Sequence, residues 1–292
     1  MRMISIFQAW TREEINMSCE GCPNQGNCSK DAGSCSVETN ANSKIKHVIA
    51  ILSGKGGVGK STITVMLARA LAKQGLRVGI MDADITGPSI PRLMNAHERY
   101  AYATKENEII PVEVDGIKIM SLNYLVQNES DPVIWRGPIL GNVVKQFYTD
   151  VVWGELDVLL IDMPPGTGDV ALTILQSLPV QGVLMISTPQ PMVSMIVTKA
   201  VKMCEQMNVP VLGVIENMAY FQCPNCNEKV GFYDEDELNE FLKESNTKLY
   251  GTLPMTDLIR NVHRYDSYDL RQQEQALETM DQIAKAVYAD IQ

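Results

Sequence analysis

The sequence predicts an α/β fold in which a mostly parallel sheet is covered by helices on both faces. Short apolar runs suited to buried strands alternate with stretches of helical periodicity. A glycine-rich turn joins the first run to a helical stretch at 62–73, and polar residues end several of the runs. The carboxyl ends of parallel strands are where such sheets bind ligands. The predicted strands are 48–52, 76–81, 156–161, 183–187 and 211–215.

The glycine-rich turn, residues 54–61, matches the phosphate-binding pattern G-x-x-x-x-G-K-S/T. Its glycines let backbone N–H groups approach phosphate oxygens, and the N-terminus of the next helix adds partial positive charge. Lys60 is predicted to reach the β- and γ-phosphates and Ser61 to bind magnesium. The predicted nucleotide-binding residues of this loop are Gly54, Lys55, Gly56, Gly57, Val58, Gly59, Lys60, Ser61 and Thr62.

Acidic residues follow two of the predicted strands. Asp82 and Asp84 end the second strand, where one is expected to orient the attacking water and the other to support magnesium. A pair of turn-capping aspartates is the alternative. Asp162 closes the run 156–161 in a Walker B arrangement and is predicted to hold magnesium through water. The Pro- and Gly-rich turn that follows is expected to move on hydrolysis.

Residues 1–46 are predicted to be a small cysteine-rich segment ahead of a domain at 47–292. The segment is polar and has too few aliphatic residues to bury a core of its own. An iron–sulfur cluster or a zinc ion on four thiolates would supply the missing order; four unrelated free thiols are the third alternative, and all three remain open. Its cysteines, in the pattern C-x2-C-x5-C-x6-C, are Cys19, Cys22, Cys28 and Cys35.

A second cysteine pair, Cys223-Pro-Asn-Cys226, follows the last predicted strand. By itself the C-x-x-C spacing fits a redox dithiol or half of a zinc knuckle. Two cysteines do not complete a four-ligand site. A symmetric dimer supplies two cysteines from each subunit and closes one shared site on the two-fold axis.

Composition argues against several partners. The chain has 25 basic and 35 acidic residues, a net charge of −10, which disfavours nucleic acid or an anionic membrane as the main partner. No apolar run reaches eighteen residues, and the N-terminus lacks the signal-peptide pattern, so we expect a cytoplasmic protein without a membrane span. The final helical stretch lacks the basic polar face of a membrane-attaching helix.

The motifs together resemble a known family. Lys55 makes the loop K-G-G-x-G-K-S/T, similar to the deviant Walker A ATPases that include MinD, ArsA and the nitrogenase iron protein. The closer resemblance, over about residues 47–292, is to the Mrp/ApbC family of cytosolic iron–sulfur cluster scaffold and carrier ATPases. It is carried by the loop, Asp82-x-Asp84-Ile-x-Gly-Pro-Ser, Asp162-x-Pro-Pro-Gly-Thr-Gly-Asp, and Glu-Asn-Met before Cys-Pro-x-Cys.

The resemblance implies roles on the nucleotide side. ATP is the implied substrate, and Lys55 reaches across a homodimer interface to the partner's nucleotide; a solvated loop lysine is the alternative. Asp84 is the residue implied to activate the water, with Asp82 near the metal. Asn217 is implied to contact adenine, and a turn-forming Asn is the alternative.

The resemblance also implies a cargo. A 4Fe–4S cluster is bridged by Cys223 and Cys226 of two subunits and passes to apo iron–sulfur proteins. The N-terminal segment is similar to that of the NBP branch, except that Ser5 stands where the first cysteine is expected and Cys35 is the candidate replacement. The rival interpretations are a MinD-like regulatory ATPase and a zinc-stabilised nucleotide-binding module without cargo.

Overall fold

The computed structural model describes residues 37–85, 87–104, 108–126, 137–189, 193–223, 226, 228–231, 242–243, 247–255 and 274–292. The predicted cluster site at Cys19, Cys22, Cys28 and Cys35 lies outside these residues. The strands are β1 Lys44–Ser53, β2 Val78–Asp82, β3 Tyr102–Ala103, β4 Ile109–Ile110, β5 Val112–Val114, β6 Ile117–Met120, β7 Glu155–Asp162, β8 Gly182–Ser187, β9 Val211–Gln222, β10 Lys229–Gly231 and β11 Leu249–Pro254. The helices are α1 Lys60–Lys73, α2 Ile90–Leu93, α3 Gly137–Thr149, α4 Asp169–Ser177, α5 Val193–Gln206 and α6 Glu274–Ile291, with a 3₁₀ turn at Leu122–Tyr124.

The predicted α/β fold with a mostly parallel sheet is confirmed. In the described chain nine strands form one sheet in the order β10-β9-β8-β1-β7-β2-β6-β5, with β11 also paired to β9. Only β5 and β10, at the two ends of this order, pair antiparallel with their neighbours. Among the helices, α1 packs on α6 and α3 packs on α4.

The core is built on the central strands. All residues of β2 and β8 are buried, as are the last six of β1 and the last seven of β7. Strands of a parallel sheet that is covered on both faces are apolar throughout, which is why their sequences are continuous apolar runs. The same topology brings the carboxyl ends of β1, β7 and β2 side by side, with Ile51 paired to Asp162 and Asp162 paired to Asp82.

Two boundaries differ from the predicted ones. The strand predicted to end at 215 continues as β9 to Gln222, because β11 and β10 pair with its second half. Ahead of the boundary placed at residue 47, β1 begins at Lys44, and the Val37 N–H donates to the Ser177 carbonyl at 3.0 Å. Residues 44–46 therefore belong to the sheet, and Val37 is hydrogen-bonded to the end of α4.

None of the helices in the described chain is both long enough and apolar enough to span a membrane.

Candidate nucleotide site and cysteine hairpin

The glycine-rich loop lies between β1 and α1, as predicted, and lines a cleft of about 290 Å³. Gly57 and Gly59 have φ values of +80° and +84°, a region that side chains rarely allow. Asp84, Ser89 and Pro165 also line the cleft. The volume and the loop suit a phosphate-bearing ligand at the start of α1.

Three side chains of the loop and α1 converge on Asp162 at the end of β7. Lys60 Nζ lies 2.7 Å from Asp162 Oδ2, and both side chains are buried. Ser61 Oγ donates to the same oxygen at 2.6 Å, and Thr64 Oγ1 donates to Oδ1 at 2.8 Å. A fully buried carboxylate requires such partners. The structure thus brings together Lys60, Ser61 and Asp162, the predicted phosphate and magnesium residues.

The oxygen atoms at Asp162 and Ser61 suit magnesium as ligands. Magnesium prefers hard oxygen ligands and combines one or two protein oxygens with waters and substrate phosphates. The Ser61 hydroxyl and the Asp162 carboxylate, 2.6 Å apart and lining or adjoining the cleft, supply such oxygens. Thr64 was not predicted. Its position one helical turn after Ser61 places both hydroxyls on the same side of α1, which was the available signal.

The two aspartates after β2 have different surroundings. Asp82 is fully buried; Ser121 Oγ donates to its Oδ2 at 3.1 Å and the Asp84 N–H to its Oδ1 at 3.3 Å. Burial, reinforced by the nearby Asp162 carboxylate, raises the pKa of Asp82 to about 8. Asp84 is partly exposed and lines the cleft. Sequence reasoning missed Ser121, which follows β6, the neighbour of β2.

Lys55 lies in the loop and is partly exposed. Its carbonyl accepts a hydrogen bond from Ser53 Oγ at 3.0 Å, which fixes the backbone at the start of the loop.

Asn217 contacts the loop from within β9. Its side chain is fully buried, and Nδ2 donates to the Val58 carbonyl at 2.9 Å. Its Oδ1 has no hydrogen-bond partner among the described residues. A Cβ on Gly59 would lie 2.4 Å from Asn217 Nδ2, so the loop and this side chain are in tight contact. Asn217 therefore lies in the middle of a strand, with its amide held against the phosphate loop.

The predicted cysteine pair lies at the edge of the sheet. The Cys223 N–H donates to the Glu228 carbonyl at 2.9 Å, which extends the β9–β10 hairpin by one bond. Cys223 is half-buried and Cys226 is exposed. Within the described part of the chain, no three His, Cys, Asp or Glu side chains are grouped closely enough to hold a metal ion.

The seventh cysteine has a different environment. Cys204 is buried in α5, and burial raises its pKa to about 11. A thiol that stays protonated makes a poor metal ligand. Cys204 is therefore a small residue of the hydrophobic core.

A glycine-rich strand–loop–helix unit, with its lysine and serine on a buried strand-end aspartate, defines a P-loop NTPase. The described cysteine pair at the sheet edge adds a feature that nucleotide hydrolysis does not require. Residues 44–288 match the family described as ParA, NUBPL iron-transfer P-loop NTPase. The chain belongs to this family.

Curated relatives agree with the match. An iron–sulfur cluster carrier protein of Clostridium perfringens is 47% identical over 253 residues, which cover 82% of this chain and 88% of that protein. The iron–sulfur cluster carrier protein of Methanocaldococcus jannaschii is 44% identical, and the match covers 83% of this chain and 85% of that protein. The iron–sulfur cluster transfer protein NUBPL of Dictyostelium discoideum is 43% identical, and the match covers 74% of this chain and 67% of that protein. The predicted family resemblance is confirmed.

Solved structures support the same fold. A nucleotide-binding protein from Archaeoglobus fulgidus, in complex with ADP, has a TM-score of 0.66 and 41% identity, covering 75% of this chain and 86% of that one. MinD in the MinC:MinD complex of Aquifex aeolicus has a TM-score of 0.60 at 18% identity, covering 83% and 96%. At that identity, the likeness to MinD shows the fold alone.

Proposed function

We propose that this chain is an ATP-dependent carrier of iron–sulfur clusters. Two copies bind one 4Fe–4S cluster between them and transfer it to apo-proteins. The observation that carries the proposal is the position of Cys223 and Cys226 on a hairpin that continues β9, the strand that also holds Asn217 against the phosphate loop. Membership in an iron-transfer P-loop NTPase family supports the same cargo.

The nucleotide half of the mechanism is ATP hydrolysis. Lys60 binds the β- and γ-phosphates, and Lys55 extends to the nucleotide of the second copy. Ser61 and Asp162 would hold magnesium, with Asp82 buried behind them, and the ion would neutralise phosphate charge there. Asp84, which lines the cleft, orients the attacking water. The unpartnered Asn217 Oδ1 is an acceptor for the amino group of adenine.

The cluster would be bound at the edge of the sheet. Each copy contributes Cys223 and Cys226, so that two copies supply the four thiolates that a 4Fe–4S cluster takes. Phe221 and Val230 are paired across the hairpin and are 43% and 50% exposed, which gives an apolar surface beside the thiols for contact with the second copy. An edge site leaves the cluster within reach of an acceptor protein.

We place this activity in the cytoplasm, without a role for nucleic acid or a membrane. The four N-terminal cysteines are proposed as a second iron–sulfur or zinc site.

Cluster transfer to an acceptor tests the proposal. Anaerobically reconstituted protein is mixed with an apo-enzyme that needs a 4Fe–4S cluster, in the presence of a chelator that traps free iron. We expect the wild type and Cys204→Ala to restore acceptor activity and Cys223→Ser to lose most of this ability. Equal transfer by wild type and Cys223→Ser would refute the bridging site. A colourless dimer that holds zinc tightly would favour the module without cargo.

A further inference from the structure

We infer that Asn217 couples the phosphate loop to Cys223, so that nucleotide binding changes the accessibility of this cysteine. The inference goes beyond the proposed function. It rests on the proposed function only in assuming that Cys223 binds the cluster whose accessibility nucleotide would control. Asn217 thereby acts as a positioning residue between the two sites, in addition to any contact with the base.

The first step is the tight contact between the loop and β9. Asn217 Nδ2 donates to the Val58 carbonyl at 2.9 Å, and the amide is fully buried. A Cβ on Gly59 would lie 2.4 Å from this Nδ2 and 3.6 Å from Met218 Cε, so the glycine leaves little free space beside both side chains. Close-packed groups transmit displacement instead of absorbing it. A loop that adjusts to a phosphate therefore moves Asn217 and Met218 with it.

The second step is an irregularity in β9 at the point of contact. Met218 has a φ of 55°, which is uncommon for a residue with a side chain. There the pairing advances from Glu216 to Tyr220 on β9, while β11 advances only from Thr252 to Pro254. Extra residues on one strand form a bulge, where a strand bends and its twist increases. The loop thus contacts β9 at its bulge, the place where the strand bends.

The third step is the continuity of β9 beyond the bulge. Its last residues, Tyr220 to Gln222, pair with β10, and the Cys223 N–H closes the hairpin on the Glu228 carbonyl at 2.9 Å. Six residues of strand span roughly 20 Å, at about 3.3 Å per residue. Because no loop interrupts β9 between Asn217 and Gln222, a change of direction at the bulge moves the hairpin and Cys223 together.

Thiol reactivity measures this coupling without requiring a cluster. Chelator-treated protein is alkylated with iodoacetamide, and the rate at Cys223 is followed by peptide mass spectrometry without nucleotide, with saturating ADP and with a saturating non-hydrolysable ATP analogue. In the wild type we expect nucleotide to change this rate by about fivefold or more, as for a typical coupled pair of sites. In Asn217→Ala the ratio should fall to near one.

Two controls separate coupling from other effects. Saturating nucleotide ensures that a weaker affinity of Asn217→Ala for ADP does not produce the result by itself. Asn208→Ala changes an exposed residue in the turn before β9 and should keep the wild-type ratio. If Asn217→Ala shows no cooperative thermal unfolding and is therefore not folded, Asn217→Ser is used instead. The serine hydroxyl is smaller than the amide and fits in the space that the amide occupied.

A wild-type ratio of one, or an unchanged ratio in a folded Asn217 variant, would overturn the inference. The proposed function fails separately, when the wild type binds no cluster or transfers none. If cluster transfer is lost but alkylation still depends on nucleotide, the coupling is supported and the carrier function is refuted. If cluster transfer is intact but alkylation does not depend on nucleotide, the carrier function is supported and the coupling is refuted.

Discussion

The phosphate loop and the cysteine hairpin differ in how much of a site one chain completes. At the loop, Lys60, Ser61 and Thr64 meet on the buried Asp162, and each bond joins groups of the same chain. At the hairpin, Cys223 is half-buried and Cys226 exposed, and they belong to no group of three metal-ligating side chains among the described residues. One copy can therefore preorganise the nucleotide site, whereas it supplies only two of the four thiolates of the cluster site that we propose.

The position of each site in the sheet explains the contrast. The loop follows β1, which has β7 and β8 on its two sides, so its polar groups must be paired within the protein. The hairpin lies at one end of the strand order, where β10 pairs with β9 alone among the described strands. An edge can be shared by two copies and approached by an acceptor. If the two regions have these separate tasks, substitutions should affect one without the other.

The largest effect is expected for Lys60→Ala. Without the lysine, negative charge that develops on the phosphates is not neutralised, and ATP turnover should fall by about 10² to 10³. Iron content after reconstitution without nucleotide should not change, because the thiols lie on another part of the sheet. Phosphate release and bound iron are measured on the same preparation.

Lys73→Ala is the matched control for Lys60→Ala. Lys73 ends the same helix, is 66% exposed and pairs with Asp281 at 2.6 Å. Its removal should leave both ATP turnover and iron content at wild-type values. A parallel loss of iron in Lys60→Ala would contradict the separation of the two regions.

Cys226→Ser should produce the opposite pattern. Iron bound by the reconstituted protein should fall by about two atoms per chain, because two chains share the one 4Fe–4S cluster that we propose. ATP turnover should keep its rate. Iron and acid-labile sulfide are compared with those of Cys204→Ala, which changes a buried thiol and should retain the cluster. An unchanged iron content in Cys226→Ser would show that the hairpin does not bind the cluster.

Asp157→Asn should change neither ATP turnover nor iron content, and it tests only how side-chain contacts stabilise the fold. Asp157 accepts hydrogen bonds from Lys46 Nζ at 2.6 Å, from the Arg77 N–H at 2.9 Å and from Arg77 Nε at 3.1 Å. Asp157→Asn should lower the free energy of unfolding by about 2 kcal/mol at neutral pH, as for hydrogen bonds to a charged group. Asp281→Asn, in an exposed pair, should cost under about 1 kcal/mol. Urea unfolding gives both values.

The pH dependence of Asp157 follows from its pKa. The Arg77 and Lys46 side chains hold the pKa of Asp157 well below its ordinary value near 4. The stabilisation is therefore complete above about pH 4 and is lost as the pH falls through the lowered folded-state pKa. The difference in unfolding free energy between wild type and Asp157→Asn should shrink on acidification. A difference that stays constant from pH 7 to pH 3 would contradict this origin.

The sequence predicts what depends on local patterns. The loop at 54–61 and Asp162 are each defined by residues a few positions apart, and the structure places the loop between β1 and α1 and Asp162 at the end of β7, as predicted. The Cys223–Cys226 pair is defined in the same way, but its place directly after β9 was not predicted, because the strand was expected to end at 215. Thr64, Ser121 and the contact of Asn217 with Val58 were missed. The bonds of these residues join positions 98, 39 and 159 residues apart, and only the order of strands in the sheet brings such partners together.

The end of β9 illustrates the same limit. A polar run, Glu216-Asn217, normally ends an apolar strand, which is why the strand was predicted to stop at 215. Backbone pairing with β11 and β10, whose paired residues lie up to 36 positions away, carries the strand on to Gln222. Pairing with later segments is not visible in the strand's own sequence.

The mass of the assembled protein tests the shared cluster most directly. Protein in which Cys19, Cys22, Cys28 and Cys35 are replaced by serine is reconstituted anaerobically with iron and sulfide and measured by native mass spectrometry. We predict a species of two chains and one 4Fe–4S cluster. Single chains without iron, or single chains that each hold a complete cluster, would contradict the account.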